Sequence, residues 1–212
     1  MPLRYFWLLL YFSCGTPEPE VIREVQTVSG ELRYQAELEQ LTLDLELADS
    51  TIRPPLFLGY LMEPQRSLPA RRFRLERRGT PLDSLAFTVV IDEELGATFR
   101  PRLLPVYIDS LPDTIVREAT VRFAATTEGL AENESLDVYF RPREGGATRR
   151  VVVAGPTRQG TVTLNSATLA DLLPGPYAVY LIRHQQYRGQ EASVKAALRT
   201  EYVTAARTII VE

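Results

Sequence analysis

The residues able to do chemistry are few. His184 is the only histidine and Cys14 the only cysteine of the 212 residues. A serine hydrolase relay needs an imidazole base beside its nucleophile. No Gly-x-Ser-x-Gly elbow surrounds any serine of this chain. One histidine and one thiol fall short of the several ligands of a typical zinc site, and a lone thiol forms no intramolecular disulfide. His184 is therefore expected as a surface residue in a loop. The acids close in sequence are Asp92-Glu93-Glu94, and Asp109 with Asp113. A glycosidase works with a carboxylate pair, yet both clusters sit among turn residues, where solvated acids are common. Neither matches the spaced oxygen ligands of an EF-hand loop, and no glycine-rich phosphate loop is present. No catalytic residue, cofactor site or metal site is expected, and the protein is expected not to be an enzyme.

The densest basic run is Arg71-Arg72-Phe73-Arg74-Leu75-Glu76-Arg77-Arg78. It suits anionic lipid heads or acidic glycans. As a strand it puts Arg72, Arg74, Glu76 and Arg78 on one solvated face, and charge on an outer strand also discourages sheet-to-sheet aggregation. The second reading is preferred.

The elements that would carry these residues begin with the N-terminus. Met1-Pro2-Leu3-Arg4 precedes an unbroken apolar run from Tyr5 to Phe12, then Ser13-Cys14-Gly15. A basic start, a short apolar run and a small residue before the break are the parts of a secretory signal. Eight apolar residues are far fewer than the roughly 20 that a bilayer-spanning helix needs. Tyr11-Phe12-Ser13-Cys14 resembles the lipobox of bacterial lipoproteins. The resemblance implies a signal peptide over 1–13, cleavage before Cys14, acylation of its thiol and new amine, and a membrane as one partner. More than one acyl chain anchors stably, at about 0.8 kcal/mol per buried methylene. By resemblance to Gram-negative lipoprotein sorting, Gly15 rather than Asp after the cysteine implies the outer over the inner membrane. Residues 14–29, with Pro17, Glu18, Pro19 and Glu20, read as a flexible tether.

Composition is that of a globular chain: 45% hydrophobic, 24% charged, net charge −3. The acidic balance speaks against a nucleic-acid partner. Period-two alternation recurs along the chain. Leu32, Tyr34, Ala36 and Leu38 alternate with polar residues, then Leu41, Leu43, Leu45 and Leu47 do so in the opposite phase. A tight turn or a bulge at Glu39-Gln40 accounts for the switch. Leu56 to Met62 is a near-continuous apolar run. Further strands are expected at Arg71–Leu75, Leu85–Ile91, Ala97–Phe99 and around Leu104, Val106 and Ile108, with turn residues between them. Asp109 to Thr114 reads as a linker. Beyond it, strands are expected around Ala119–Phe123, Leu136–Phe140, Thr148–Val153, Thr161–Leu164, 176–182 and 202–211. Glu144-Gly145-Gly146 is a hairpin signal. Residues 184–200 read as a short helix or a long hairpin.

Leu169, Leu172 and Leu173-Pro174-Gly175-Pro176-Tyr177 look like the corner before the F strand of immunoglobulin-like and fibronectin type III sandwiches. There, a tyrosine hydroxyl bonds back to nearby backbone, a role that falls to Tyr177. The expected fold is thus all-β: two tandem β-sandwich (Ig-like) domains, over 30–113 and 114–212. The expected function is that of a non-catalytic, membrane-anchored lipoprotein presenting β domains to an envelope protein partner. The competing reading is a glycan-binding accessory lipoprotein, which a planar cluster of exposed aromatics would favour.

Overall fold

The structure, a computed structural model, describes residues 25–48, 53–65, 71–82, 85–91 and 96–212. The signal, Cys14 and the tether up to residue 24, together with Asp92-Glu93-Glu94, lie outside the described residues.

The chain is all-β. Its first half gives β1 (Gln26–Gln35), β2 (Gln40–Leu47), β3 (Leu56–Phe57), β4 (Tyr60–Leu61), β5 (Glu63–Gln65), β6 (Arg71–Arg78), β7 (Phe87–Val90) and β8 (Gly96–Phe99). The second gives β9 (Thr114–Ile115), β10 (Val121–Ala124), β11 (Glu134–Pro142), β12 (Arg149–Ala154), β13 (Thr161–Leu164), a short helix α1 (Ser166–Leu169), β14 (Gly175–Glu191), β15 (Val194–Val203) and β16 (Arg207–Val211). One ten-stranded sheet runs β12-β11-β14-β15-β1-β2-β6-β5, with β16 beside β14 and β9 beside β16. Two smaller sheets cover it, β4-β3-β7-β8 at one end and β10-β13 at the other.

Local chemistry explains the first hairpin. β1 ends at Gln35, a 3₁₀ turn spans Ala36–Leu38, and Glu39 takes a left-handed conformation at φ 47°. The phase switch at Glu39-Gln40 is therefore a turn between two strands. Leu32 faces Leu43 and Tyr34 faces Leu41 across the ladder, so both alternations bury the same side. The run Leu56–Met62 is not one strand. It folds back at Leu58-Gly59, both at positive φ, leaving Tyr60 and Leu61 exposed and Met62 buried. β1 begins at Gln26, and Val28 is fully buried, so the last residues read as tether belong to the sheet.

Two apolar cores form. The first gathers Leu32, Leu43 and Phe73 from the large sheet against Phe57, Phe87 and Phe99 from the small one. The second gathers Val138, Phe140, Val179 and Ile209 against Phe123, Val162 and Leu164. Leu103 lies in the first core, but Val106, Ile108 and Leu111 lie in the second. Within the segment expected as a linker at 109–114, Leu111 is buried in the second core while its neighbours are exposed, and the change of core falls between Leu103 and Val106. Residues around Leu104, Val106 and Ile108 form no strand; they cross between cores as irregular chain.

The segment 184–200 is a long hairpin, not a helix. Period-two burial of Val194, Ala196 and Leu198 sets it. β14 spans 17 residues. Its first part pairs β11 and β16, and its second part, from Ile182, pairs β15. β15 then pairs β1 in parallel from Gln26↔Val194 to Gln35↔Val203. Val194, Ala196 and Leu198 therefore complete the first core although they come from the C-terminal part of the chain. Thr204 fills the gap between β15 and β16: its amide donates to Leu181 O at 3.0 Å and its Oγ1 accepts from Leu181 N at 2.9 Å.

Tyr177 makes the expected corner. Its hydroxyl donates to Leu173 O and accepts from Leu173 N, both at 3.0 Å. Tyr177→Phe strands both backbone groups and is expected to lower stability by about 1–2 kcal/mol, read as an earlier urea midpoint with unchanged slope. Leu198→Ala is expected to cost about 2–5 kcal/mol. Hydrogen exchange should then show lost protection in β1 and β2; protection lost only in β11 and β16 would contradict the assignment of the hairpin to the first core.

Candidate functional site

His184 is not in a loop. It sits on β14, 8% exposed, where the large sheet passes from one core to the other. The sheet register brings its partners: His184 pairs Glu201 of β15, and Glu201 pairs Arg33 of β1. Paired residues share a face, so these three side chains stand in a row on the side away from the cores. Asp137 reaches the same row from β11.

His184 Nε2 lies 2.9 Å from Asp137 Oδ2 and Nδ1 lies 3.1 Å from Glu201 Oε1. With both nitrogens protonated, each donates to a carboxylate. Asp137 is fully buried and also accepts from Arg150 Nε at 2.9 Å and Nη2 at 2.8 Å. Glu201, 3% exposed, accepts from Arg33 Nε at 2.8 Å and Nη2 at 2.7 Å, and from Arg199 Nη2 at 2.7 Å. The hydrogen bond to Glu201 raises the His184 pKa; burial opposes it, and the bond to Asp137 adds to the rise. Burial pushes Glu201 up, but hydrogen bonds from His184 and Arg33 outweigh it and hold the carboxyl down to about 2.

A second charged group lies on the core side of the same strands. Arg183 Nη2 donates to Glu134 Oε2 at 2.6 Å, with both residues buried. Gln185 Nε2 donates to Glu134 Oε1 at 3.2 Å, and Arg183 Nη1 to Pro105 O at 3.3 Å. The seam between the cores is thus polar on both faces of the sheet. Among the described residues, Tyr202 is the half-buried aromatic that packs against both cores.

Chemically, the His184 row is an ion-pair network. Nε2 lies against the Asp137 carboxylate, and Nδ1 lies against both the Glu201 carboxylate and, at 3.0 Å, Arg199 Nη2. Asp109 and Asp113 do not pair with each other: Arg207 Nη2 binds Asp113 Oδ1 at 2.6 Å, and its Nη1 binds the Asp109 carbonyl oxygen at 2.6 Å. They fasten the start of β16. Arg72, Arg74, Glu76 and Arg78 share the exposed face of β6, as the alternation implied. Among the described residues, no group of three or more His, Cys, Asp or Glu is placed to hold a metal ion, and no helix is long and apolar enough to cross a membrane. Tyr139 and Tyr180 stack at 4.9 Å with planes 5° apart, and Arg150 lies 6.0 Å from the Tyr139 ring centroid. This pair turns faces to each other rather than outward.

Sequence reasoning missed the buried role of His184, Asp137 and Glu201. Arg183 to Glu191 is rich in Arg and Gln, with no apolar alternation to tell a strand from a short helix. The usable signal lay across the turn, in the alternation of Val194, Ala196 and Leu198, which implies a strand and hence a paired strand before it.

No family model matches the chain, and no curated protein matches it. Among solved structures, the FN1–FN3 domains of chicken CNTN1 align at 12% identity and TM-score 0.28, covering 87% of this chain and 65% of that one. The Bacteroides ovatus mixed-linkage glucan utilization locus protein SGBP-B, solved with a mixed-linkage heptasaccharide, aligns at 12% identity and TM-score 0.26, covering 84% of this chain and 43% of that one. The chain spans less than two thirds of either.

The pH dependence of this row has a definite sign. His184, raised in the folded state, contributes stability that is whole below about pH 6.5 and is lost as pH rises through its folded pKa. Glu201, lowered, contributes stability that is whole above its unfolded value of 4.5 and is lost as pH falls toward about 2. His184→Ala removes the shared donor of two buried carboxylates and is expected to cost about 3 kcal/mol at pH 6 in urea unfolding. The gap to the unaltered protein should narrow at pH 9; a gap that is constant from pH 6 to 9 would contradict an imidazolium at this site.

Proposed function

We propose that the protein is a non-catalytic lipoprotein of the outer membrane that holds a two-core β platform for an envelope protein partner. The observation that carries this reading is β14 with its hairpin. At about 3.3 Å per residue, a 17-residue strand runs for roughly 55 Å. It pairs with strands of both cores along that length. Two sandwiches joined by a loop would swivel; two joined by a shared ladder present their surfaces in fixed relation, which suits display. Cys14 supplies the membrane end of this reading, through acyl chains at the start of a Pro/Glu tether.

The ion pairs at the seam support the same reading, since the histidine there is spent on structure. The test is direct. Cys14→Ala should move the protein from the membrane to the soluble fraction of the envelope, and metabolic labelling with a palmitate analogue should be lost with it. Unchanged membrane association of the variant would overturn the anchor. If the anchor holds, in-cell crosslinking from Tyr139 or Val152, on the outward face of the second sandwich, should give a discrete heteromeric adduct. Adducts only with itself would overturn the envelope-partner reading.

A further inference from the structure

The first sandwich carries a groove at its open edge. There the chain leaves the small sheet at β4, turns at buried Met62 and enters the large sheet as β5. The groove, about 890 Å³, lies beside these two edge strands and β6. Tyr60, 57% exposed, stands at one wall, with the Arg77 guanidinium 5.5 Å from its ring centroid. Leu61, 63% exposed, and Leu75 add an apolar strip. Glu63 and Gln65 are exposed on β5. Gln65 and Arg74 also line a second depression of about 680 Å³ on the polar face of the sheet, so the two join into one path.

We infer that this path binds an uncharged oligosaccharide chain. Three observations carry the inference. The lining pairs an exposed aromatic with carboxylate, amide and guanidinium groups. A sugar ring has apolar C–H faces that pack on an aromatic and a rim of hydroxyls that planar side chains bond in pairs. The charges nearly balance: with Arg74 shared by the two depressions, five acids stand against four arginines along the path. A charged ligand would meet like charge along the way, whereas a neutral one would not. The path also continues from the edge onto the sheet face, which suits a chain of rings more than a single one.

An extended peptide is the less fitting occupant. Peptides join sheet edges through a backbone ladder. The edge strands here have three and two residues, and Pro64 in β5 has no N–H to donate.

The inference does not rest on the anchor: the Cys14→Ala protein should bind as the unaltered one does. The full chain, held in a detergent without sugar head groups, is titrated calorimetrically with cellohexaose, laminarihexaose, xylohexaose and, as the charged counterpart, hexagalacturonate. At least one neutral hexasaccharide should bind with a Kd below about 1 mM, and hexagalacturonate at least tenfold more weakly. Tyr60→Ala should weaken the neutral ligand at least tenfold, Tyr60→Phe less than threefold, and Tyr139→Ala not at all. Because Tyr60 is mostly exposed, a circular dichroism spectrum and melting point unchanged in Tyr60→Ala should accompany the loss. No binding by any neutral hexasaccharide, equal or tighter binding of hexagalacturonate, or an unchanged Kd in Tyr60→Ala would overturn the inference.

Discussion

A β-strand has two edges, and β14 uses both. One pairs β11; the other pairs β16 and then β15. Every buried backbone N–H and C=O needs a partner, and along this strand those partners belong first to the second core and then to the first. The rest of the architecture follows from that sharing. β15 lies against β1, so the first core takes one of its strands from far along the chain. Thr204 must bridge to Leu181, since β15 and β16 leave a step between them.

A shared sheet does not by itself give a shared core. The twist of a long sheet turns its two ends differently, and the covering sheets at the two ends are separate. At the join, the strands carry side chains that neither core takes up. Here they are charged, and they neutralise one another: Glu134 with Arg183 on one face, Asp137 and Glu201 around His184 on the other. Buried pairs of this sort add little net stability over apolar packing, but removing one member is costly. They are best regarded as fixing the register at which the two ends meet.

The alternation at Leu32–Leu47 showed which residues face inward, and the corner at Tyr177 was readable because its contact spans only four residues, to Leu173. What alternation cannot show is the neighbour. Nothing local in Val194–Val203 points to Gln26–Gln35, since any strand with one apolar face could have lain there. His184 was illegible for the same reason: the residues of its network come from four other strands, and in isolation its segment is polar. The run Leu56–Met62 misled because hydrophobicity alone does not distinguish a buried strand from a hairpin whose tip meets solvent. Nor did composition separate Tyr60, at a groove, from aromatics in the core.

The parallel pairing of β1 with β15 joins residues 168 positions apart, as Arg33 and Glu201 are. A ribosome adds about 5–20 residues per second. β1 is therefore completed only some 10–30 s after its own synthesis. Until then, Leu32, Leu43 and Leu45 have no Val194, Ala196 or Leu198 to pack against. Contacts of such long range also form slowly. A chain of this topology leaves its first core open during elongation, and that core closes only once strands made far later have reached it.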